Sequence, residues 1–178
     1  VDGLRALGIK NIAMLTGDNP ETAAEIARLV GIENVHAGLL PADKVARLEK
    51  LKANGPLAFV GDGINDAPAL ALADIGIAMG GAGTDAAIET AHVALMADDL
   101  GKIPWLVNHS RKMLRIIRAN ITFALGVKAA FVILTFAGHA SLWAAISADM
   151  GASLLVIANG LRLLGGRDGV VTFPRDDA

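Results

Sequence analysis

Two carboxylates on a glycine-rich loop are the first residues in this chain whose types and spacing could do chemistry. The stretch Gly61-Asp62-Gly63-Ile64-Asn65-Asp66-Ala67-Pro68-Ala69-Leu70 follows the apolar run Leu57-Ala58-Phe59-Val60. That run reads as a short buried strand, and residues 67–73 start a helix with Pro68 in its first turn. Asp62 and Asp66 thus stand at the C-terminal end of a strand, where open α/β sheets place their ligands. Gly61 and Gly63 let a phosphate come close, and Asn65 completes the loop. Hard oxygen ligands in that setting suit Mg²⁺, which binds through one or two carboxylates plus phosphate oxygens. A lone Gly-Asp-Gly would be an ordinary turn; the ten-residue constellation is more than that.

Two further elements point to the same phosphoryl chemistry. Thr16-Gly17-Asp18-Asn19 ends a second strand candidate, residues 12–15, and offers a hydroxyl beside backbone N–H groups for phosphate oxygens. Lys44 lies at the start of a helix opened by Pro41 and can neutralise charge on a transferring group. Singly, the first reads as an N-cap and the second as a solvated helix charge. Their order and spacing together make a site.

The elements that must position these residues follow from local punctuation. Pro20 opens a helix to Val30 with Gly31 as its stop, and residues 34–37 can form a short strand. The Pro41 helix presents Val45, Leu48 and Leu51 on one face and ends at Asn54-Gly55. Ile75–Met79 is the next strand, followed by Gly80-Gly81-Ala82-Gly83, a short helix from about Thr84 and a possible strand at 93–96. This βαβα alternation predicts an α/β fold with a parallel sheet and flanking helices.

From Gly101 the character changes. Residues 1–100 hold 7 Lys/Arg against 14 Asp/Glu, and residues 101–178 hold 9 against 4, so a net charge of −2 conceals an acidic part and a basic part. The chain is 53% hydrophobic but only 4% aromatic, with mean hydropathy +0.50. A basic amphipathic helix is expected over 102–118, carrying Lys102, Arg111, Lys112, Arg115 and Arg118. Two apolar runs follow, 121–137 broken only by Lys128 and 142–161 containing Asp149, joined by the turn Gly138-His139-Ala140-Ser141. Each approaches the roughly 20 residues needed to cross a bilayer, and the flanking arginines, Arg162 and Arg167 included, put both ends in the cytoplasm. Charges inside a span are costly and usually functional. At 1.5 Å per residue, Lys128 and Asp149 come within roughly 3 Å of the same depth. They could pair with each other, or Asp149 could bind a cation, with Lys128 lending charge when it leaves.

The chain has no cysteine, which excludes disulfides and thiolate metal sites built from it alone. It opens on Val within a helical pattern already under way and is expected to be a fragment from the C-terminal side of something longer.

At Thr16-Gly17-Asp18-Asn19, Pro41-x-Asp43-Lys44, Gly61-Asp62-Gly63-x-Asn65-Asp66-x-Pro68-Ala69-Leu70 and Gly83-Thr84-Asp85-x-Ala87, the sequence resembles the phosphorylation domain of P-type ATPases. The resemblance implies a haloacid-dehalogenase-like (Rossmannoid) fold. It implies Asp62 as a Mg²⁺ ligand supported by Asp66, with Thr16 (in its Gly17-Asp18 loop) and Lys44 on the phosphoryl group of an aspartyl-phosphate formed from ATP. The family's nucleophile motif, Asp-Lys-Thr-Gly-Thr, does not occur here. The chain alone is therefore expected to form no phosphoenzyme. The absent strand would lie mid-sheet, and its loss would expose apolar edges.

Asp149-Met150-Gly151 in the second apolar run, with a Lys in the first, resembles the zinc/cadmium/lead-exporting subgroup of heavy-metal P-type ATPases. Asp149 is then the ligand for the transported metal and Lys128 its counter-charge. On this reading residues 1–100 are part of the phosphorylation domain and 101–120 a linker helix entering the membrane. Residues 121–164 form a transmembrane hairpin and 165–178 a flexible tail. Residues 1–118 and the tail are expected in the cytoplasm, with the hairpin in the plasma membrane. Expected partners are Zn²⁺, Cd²⁺ or Pb²⁺, the lipid bilayer and the remaining parts of the same pump; no nucleic acid is expected. The rivals are a membrane-anchored phosphatase of the same superfamily, a copper-exporting P-type ATPase and a non-catalytic membrane regulator.

Overall fold

The computed structural model describes residues 1–62, 65–80, 89–97, 99–139 and 141–163. The chain divides into two compact units, Val1–Pro104 and Trp105–Ala178. The first holds α1 (Asp2–Ala6), β1 (Ala13–Leu15), α2 (Pro20–Val30), β2 (Asn34–His36), α3 (Pro41–Lys52), β3 (Ala58–Gly61), α4 (Ala67–Leu72), β4 (Ile75–Met79) and β5 (Val93–Leu95). Two long helices follow, α5 (Lys102–Phe136) and α6 (Leu142–Leu161).

Local chemistry sets the boundaries. The Asn19 side chain accepts the Thr22 N–H at 2.8 Å and Pro20 supplies the first turn, so α2 starts where a cap and a fixed φ coincide. Gly31 ends it in the left-handed region, φ +71°, while the Ile32 N–H reaches back to the Ala27 carbonyl. At α3 the Asp43 carboxylate accepts the Leu40 N–H at 3.2 Å.

All strand pairing is parallel, β1 with β2 and β3 with β4 with β5. Where the sequence predicts one sheet, the ladder comes in two pieces among the described residues. Hydrogen bonding stops between β1 and β3, the two strands that lead into Thr16 and Asp62. One core nevertheless spans both pieces: Leu48, Phe59, Leu70 and Ala78 are buried together, with Leu15 of β1 packed against them. Close approach of α4 to β4 requires Gly76, where a Cβ would stand 2.5 Å from the Leu70 carbonyl oxygen.

In the second unit the amphipathic segment and the first apolar run fuse into one unbroken 35-residue helix. Both α5 and α6 are long and apolar enough to cross a membrane. Their large apolar side chains face outward, Phe136 at 90% exposure. Half-buried positions recur at Ile116, Asn120, Ala124, Val127 and Phe131 on α5. On α6 partly or fully buried positions recur at Ala145, Ala148, Ala152, Val156 and Asn159. That is one stripe on each helix. The Gly81–Gly83 loop, the helix from Thr84, the Gly83-Thr84-Asp85-x-Ala87 motif, Gly63, Ala140 and the 165–178 tail lie outside the described residues.

Candidate functional site

The phosphoryl-type residues sit on three loops at the C-terminal ends of β1, β2 and β3. β1 delivers Thr16, whose N–H extends the ladder to the His36 carbonyl at 2.9 Å. Its hydroxyl donates to Asp18 Oδ2 at 2.8 Å and accepts the Asp18 N–H at 3.2 Å, which folds residues 16–18 into a tight hydroxyl-centred turn. The loop after β2 is stitched to it: Gly38 N–H to the Asp18 carbonyl, 2.8 Å, and Leu39 N–H to the Thr16 carbonyl, 3.0 Å. Gly17 lies so close that a Cβ there would stand 3.3 Å from the Leu39 carbonyl oxygen. Pro41 then launches α3, and Lys44 leaves its first turn.

Lys44 meets the third loop. Its Nζ is 2.9 Å from Asp66 Oδ1, in an ion pair whose lysine is half-buried. Asp66 is the residue before α4, is 7% exposed, and is the one buried charged side chain among the described residues. Its other oxygen rests over Gly61, where a Cβ would stand 2.8 Å from Oδ2. Only glycine leaves room for that carboxylate. Asp62 and Asn65, by contrast, are exposed. The structure therefore joins Thr16 with Asp18 and Lys44 with Asp66, and leaves Asp62 facing solvent.

This donor set suits a hard cation that brings its own ligands. No cluster of three or more His, Cys, Asp or Glu exists among the described residues, so no all-protein metal cage forms there. Two carboxylates at a strand end, one open and one held in a glycine cradle, match an ion that keeps waters and binds phosphate oxygens. Two flanking contacts brace the site. Arg47 Nε, one turn after Lys44, donates to His36 Nε2 at 3.1 Å, so that ring nitrogen is an acceptor. Burial, and then the Arg47 charge, hold the His36 pKa below its ordinary value of 6.5. At the far end of α3, Lys52 Nζ bonds the Leu72 carbonyl (2.8 Å) and Asp74 (3.1 Å), and Asp74 accepts the Leu57 N–H.

In the hairpin unit the interhelical bonds set a register. Asn159 Nδ2 donates to Asn120 Oδ1 at 2.7 Å, and Asn120 Nδ2 donates to the Val156 carbonyl at 3.4 Å. Asn120 is thus level with the midpoint of 156 and 159. Lys128 lies eight residues along α5, about 12 Å, and Asp149 about 13 Å back along α6, so their depths agree within about 1 Å. Each is the residue after a seam position, Val127 and Ala148. Because the helices run antiparallel, both turn off the seam to the same side. Both are exposed on that flank and are not joined in an ion pair.

A family model described as haloacid dehalogenase-like hydrolase matches residues 1–74. A probable cadmium-transporting ATPase of Listeria monocytogenes is 57% identical over 166 residues, 93% of this chain and 23% of its own length. A zinc/cadmium/lead-transporting P-type ATPase of Shigella sonnei is 52% identical over 92% of this chain and 22% of its own. The crystal structure of a zinc-transporting PIB-type ATPase in an E2·Pi state superposes with a TM-score of 0.84 at 50% identity, over 92% of this chain and 27% of that one.

The chain belongs to the P-type ATPases.

Its first unit has the haloacid-dehalogenase-like fold, and two long apolar helices follow it. The chain spans 21–24% of the length of the curated P-type ATPase relatives it matches. Sequence reasoning missed three groups in this P-type ATPase unit pair: the Arg47–His36 bond, the Lys52–Asp74 staple and the Asn120–Asn159 pair. The last had a readable signal, an amide at the start of the first apolar run and another inside the second. The other two had none, since nothing in their local sequence distinguishes them from solvated charges.

Proposed function

We propose that this chain supplies the phosphoryl-handling loops and a membrane hairpin of an ATP-driven exporter of Zn²⁺, Cd²⁺ or Pb²⁺. The pump works through an aspartyl-phosphate whose nucleophile lies on a strand outside these 178 residues. The observation that carries the reading lies in the hairpin unit: Lys128 and Asp149, one charge in each apolar run, stand at the same depth on one flank. The names borne by the relatives, cadmium-transporting and zinc/cadmium/lead-transporting, support the cargo class.

Asp62 and Asp66 would hold Mg²⁺, which when bound supplies positive charge against the phosphoryl oxygens. The chain's own side chains do the rest. Thr16, with the N–H groups of its turn, orients phosphoryl oxygens. Lys44 exchanges one Asp66 oxygen for the phosphoryl group and balances its charge. Gly61 and Gly17 keep the loops close enough for this. In the membrane, Asp149 is the hard ligand for the cation, and Lys128 on the same flank takes over as its counter-charge on release. Residues 1–118 face the cytoplasm and the hairpin lies in the plasma membrane.

The test is ATP hydrolysis by the full-length protein with Zn²⁺, Cd²⁺, Pb²⁺, Co²⁺ and Cu⁺ compared side by side. Stimulation by Zn²⁺, Cd²⁺ and Pb²⁺ is expected, and Asp149→Ala should abolish it. Stimulation by Cu⁺ alone, indifferent to Asp149, would overturn the cargo assignment.

A further inference from the structure

The middle of the seam between α5 and α6 is built of small apolar residues that do little to fix its register. Ala124 and Val127 on one stripe and Ala148 and Ala152 on the other are small buried or half-buried positions, and such small apolar surfaces pack comparably after a slide of one turn. Lipid provides no hydrophobic drive to prefer one setting, so packing and polar bonds must decide. At the Asn120 end a shallow open groove of about 270 Å³ runs between Phe123 and Leu155. What does discriminate is the amide pair beside that groove. Asn159 Nδ2 bonds Asn120 Oδ1, Asn120 Nδ2 bonds the Val156 carbonyl, and Arg162 approaches Asn159 Oδ1 at 3.5 Å. A slide would strip these half-buried amides of partners against the apolar faces at the edge of the span, where an unsatisfied polar group is expensive. A single buried polar residue fixes register in coiled coils by the same logic.

We propose that the Asn120–Asn159 pair is a positioning element that sets the register of α5 on α6 and thereby holds Lys128 and Asp149 at one depth. The functional half of this inference rests on the cargo reading of those two residues. Asn120 lies about 12 Å along the helix from Lys128, too far for Asn120 itself to touch a cation held there. It acts through register alone. A slip of one turn would offset the two charges by about 5.4 Å, more than the length of an ion pair.

The experiment uses the full-length protein carrying Ala124→Cys with either Ala152→Cys or Ala148→Cys, a protease site in the 138–141 turn and a short bifunctional thiol reagent. In the parent, cross-linking should favour the 124/152 pair. In Asn120→Ala or Asn159→Ala the 124/148 pair should gain at its expense. In the same variants without cysteines, the KM for Zn²⁺ should rise about 3- to 10-fold, the scale of one interhelical amide bond, with kcat within about twofold. The double variant should be no worse than Asn120→Ala, which already removes both the amide–amide bond and the bond to the Val156 carbonyl. If Asn120→Ala does not fold, Asn159→Ala, which leaves Asn120 its Val156 bond, carries the same comparison.

An unchanged cross-linking preference and an unchanged KM would overturn the inference, as would a double variant whose effects multiply. Asp149→Asn separates the two claims. Lost metal stimulation there, with unaltered asparagine variants, rejects the positioning role and keeps the cargo reading. A fully active Asp149→Asn rejects the cargo reading, and with it the functional half, whatever the cross-links show.

Discussion

The two units of this chain are built inside out relative to each other. In residues 1–104 a core of aliphatic side chains is closed inside, Leu48 and Leu70 fully buried in it, and the working polar groups stand on loops at strand ends. In residues 105–163 the order reverses: Leu125, Ile133 and Phe136 face out, while Asn120 and Asn159 bond each other in the seam. The difference teaches where each unit gets its stability. The first excludes water from a close-packed core. In the membrane placement proposed above, the second meets a solvent as apolar as its own surface, so its polar bonds and small-residue contacts carry the specificity.

Matched truncations break this comparison most sharply. Leu70→Ala should destabilise the first unit by about 2–5 kcal/mol, since a fully buried leucine leaves a cavity. Leu125→Ala on the outer face of α5 should change stability in a bilayer by no more than about 0.5 kcal/mol. Urea unfolding of the full-length protein, followed by proteolysis at each unit, reads both. Equal effects would mean that the hairpin's outer face is buried against protein instead of lipid.

Next in size is Gly61→Ala. The new methyl group would meet Asp66 Oδ2 at 2.8 Å, and overpacking of this kind costs about 1–3 kcal/mol. The carboxylate must move, so metal-stimulated ATP hydrolysis should fall at least about tenfold. Gly151→Ala in α6, which meets nothing within 4 Å in the described structure, is the counterpart in the other unit and should fold normally.

The smallest effect is one of pH. His36 has a pKa below 6.5 in the folded chain because of burial and Arg47. The unfolded chain then binds the proton more readily, so His36 contributes stability above the unfolded value that is lost as pH falls from about 6.5 toward the folded pKa. Asp74, whose folded pKa lies below 3.8 through its Leu57 and Lys52 bonds, acts the same way in a more acidic window. Thermal unfolding at pH 7.5 and 5.5 should show a decline that His36→Gln reduces. The hairpin unit offers no such term near Asn120, because an amide does not titrate.

Much of the first unit was legible because its signals are local. Pro20, Gly31, Pro41 and Pro68 punctuate the helices, and the observed boundaries of α2, α3 and β4 follow the sequence reading within two residues. The chemistry-bearing loops were legible for the same reason, since strand, glycines and carboxylates are contiguous. What the sequence withheld is pairing at a distance. Lys44 and Asp66 are 22 residues apart and Asn120 and Asn159 are 39 apart, and no periodicity reports either meeting. The break between β1 and β3 is likewise non-local. A parallel ladder forms only after crossovers have closed, so strand propensity says nothing about which neighbour each edge finds.

The length of α5 has a mechanical consequence. Thirty-five residues make a beam of about 52 Å, and a tilt of about 5° at one end sweeps the other through about 4–5 Å. Its one proline, Pro104, sits in the first turn, where it does not weaken the shaft. Its one glycine, Gly126, carries no side chain to brace the shaft and stands two residues before Lys128. Bending strain applied anywhere along this beam therefore concentrates beside its one deeply placed cation. The compliance of the whole helix is gathered at the point where a small rotation would redirect that charge most.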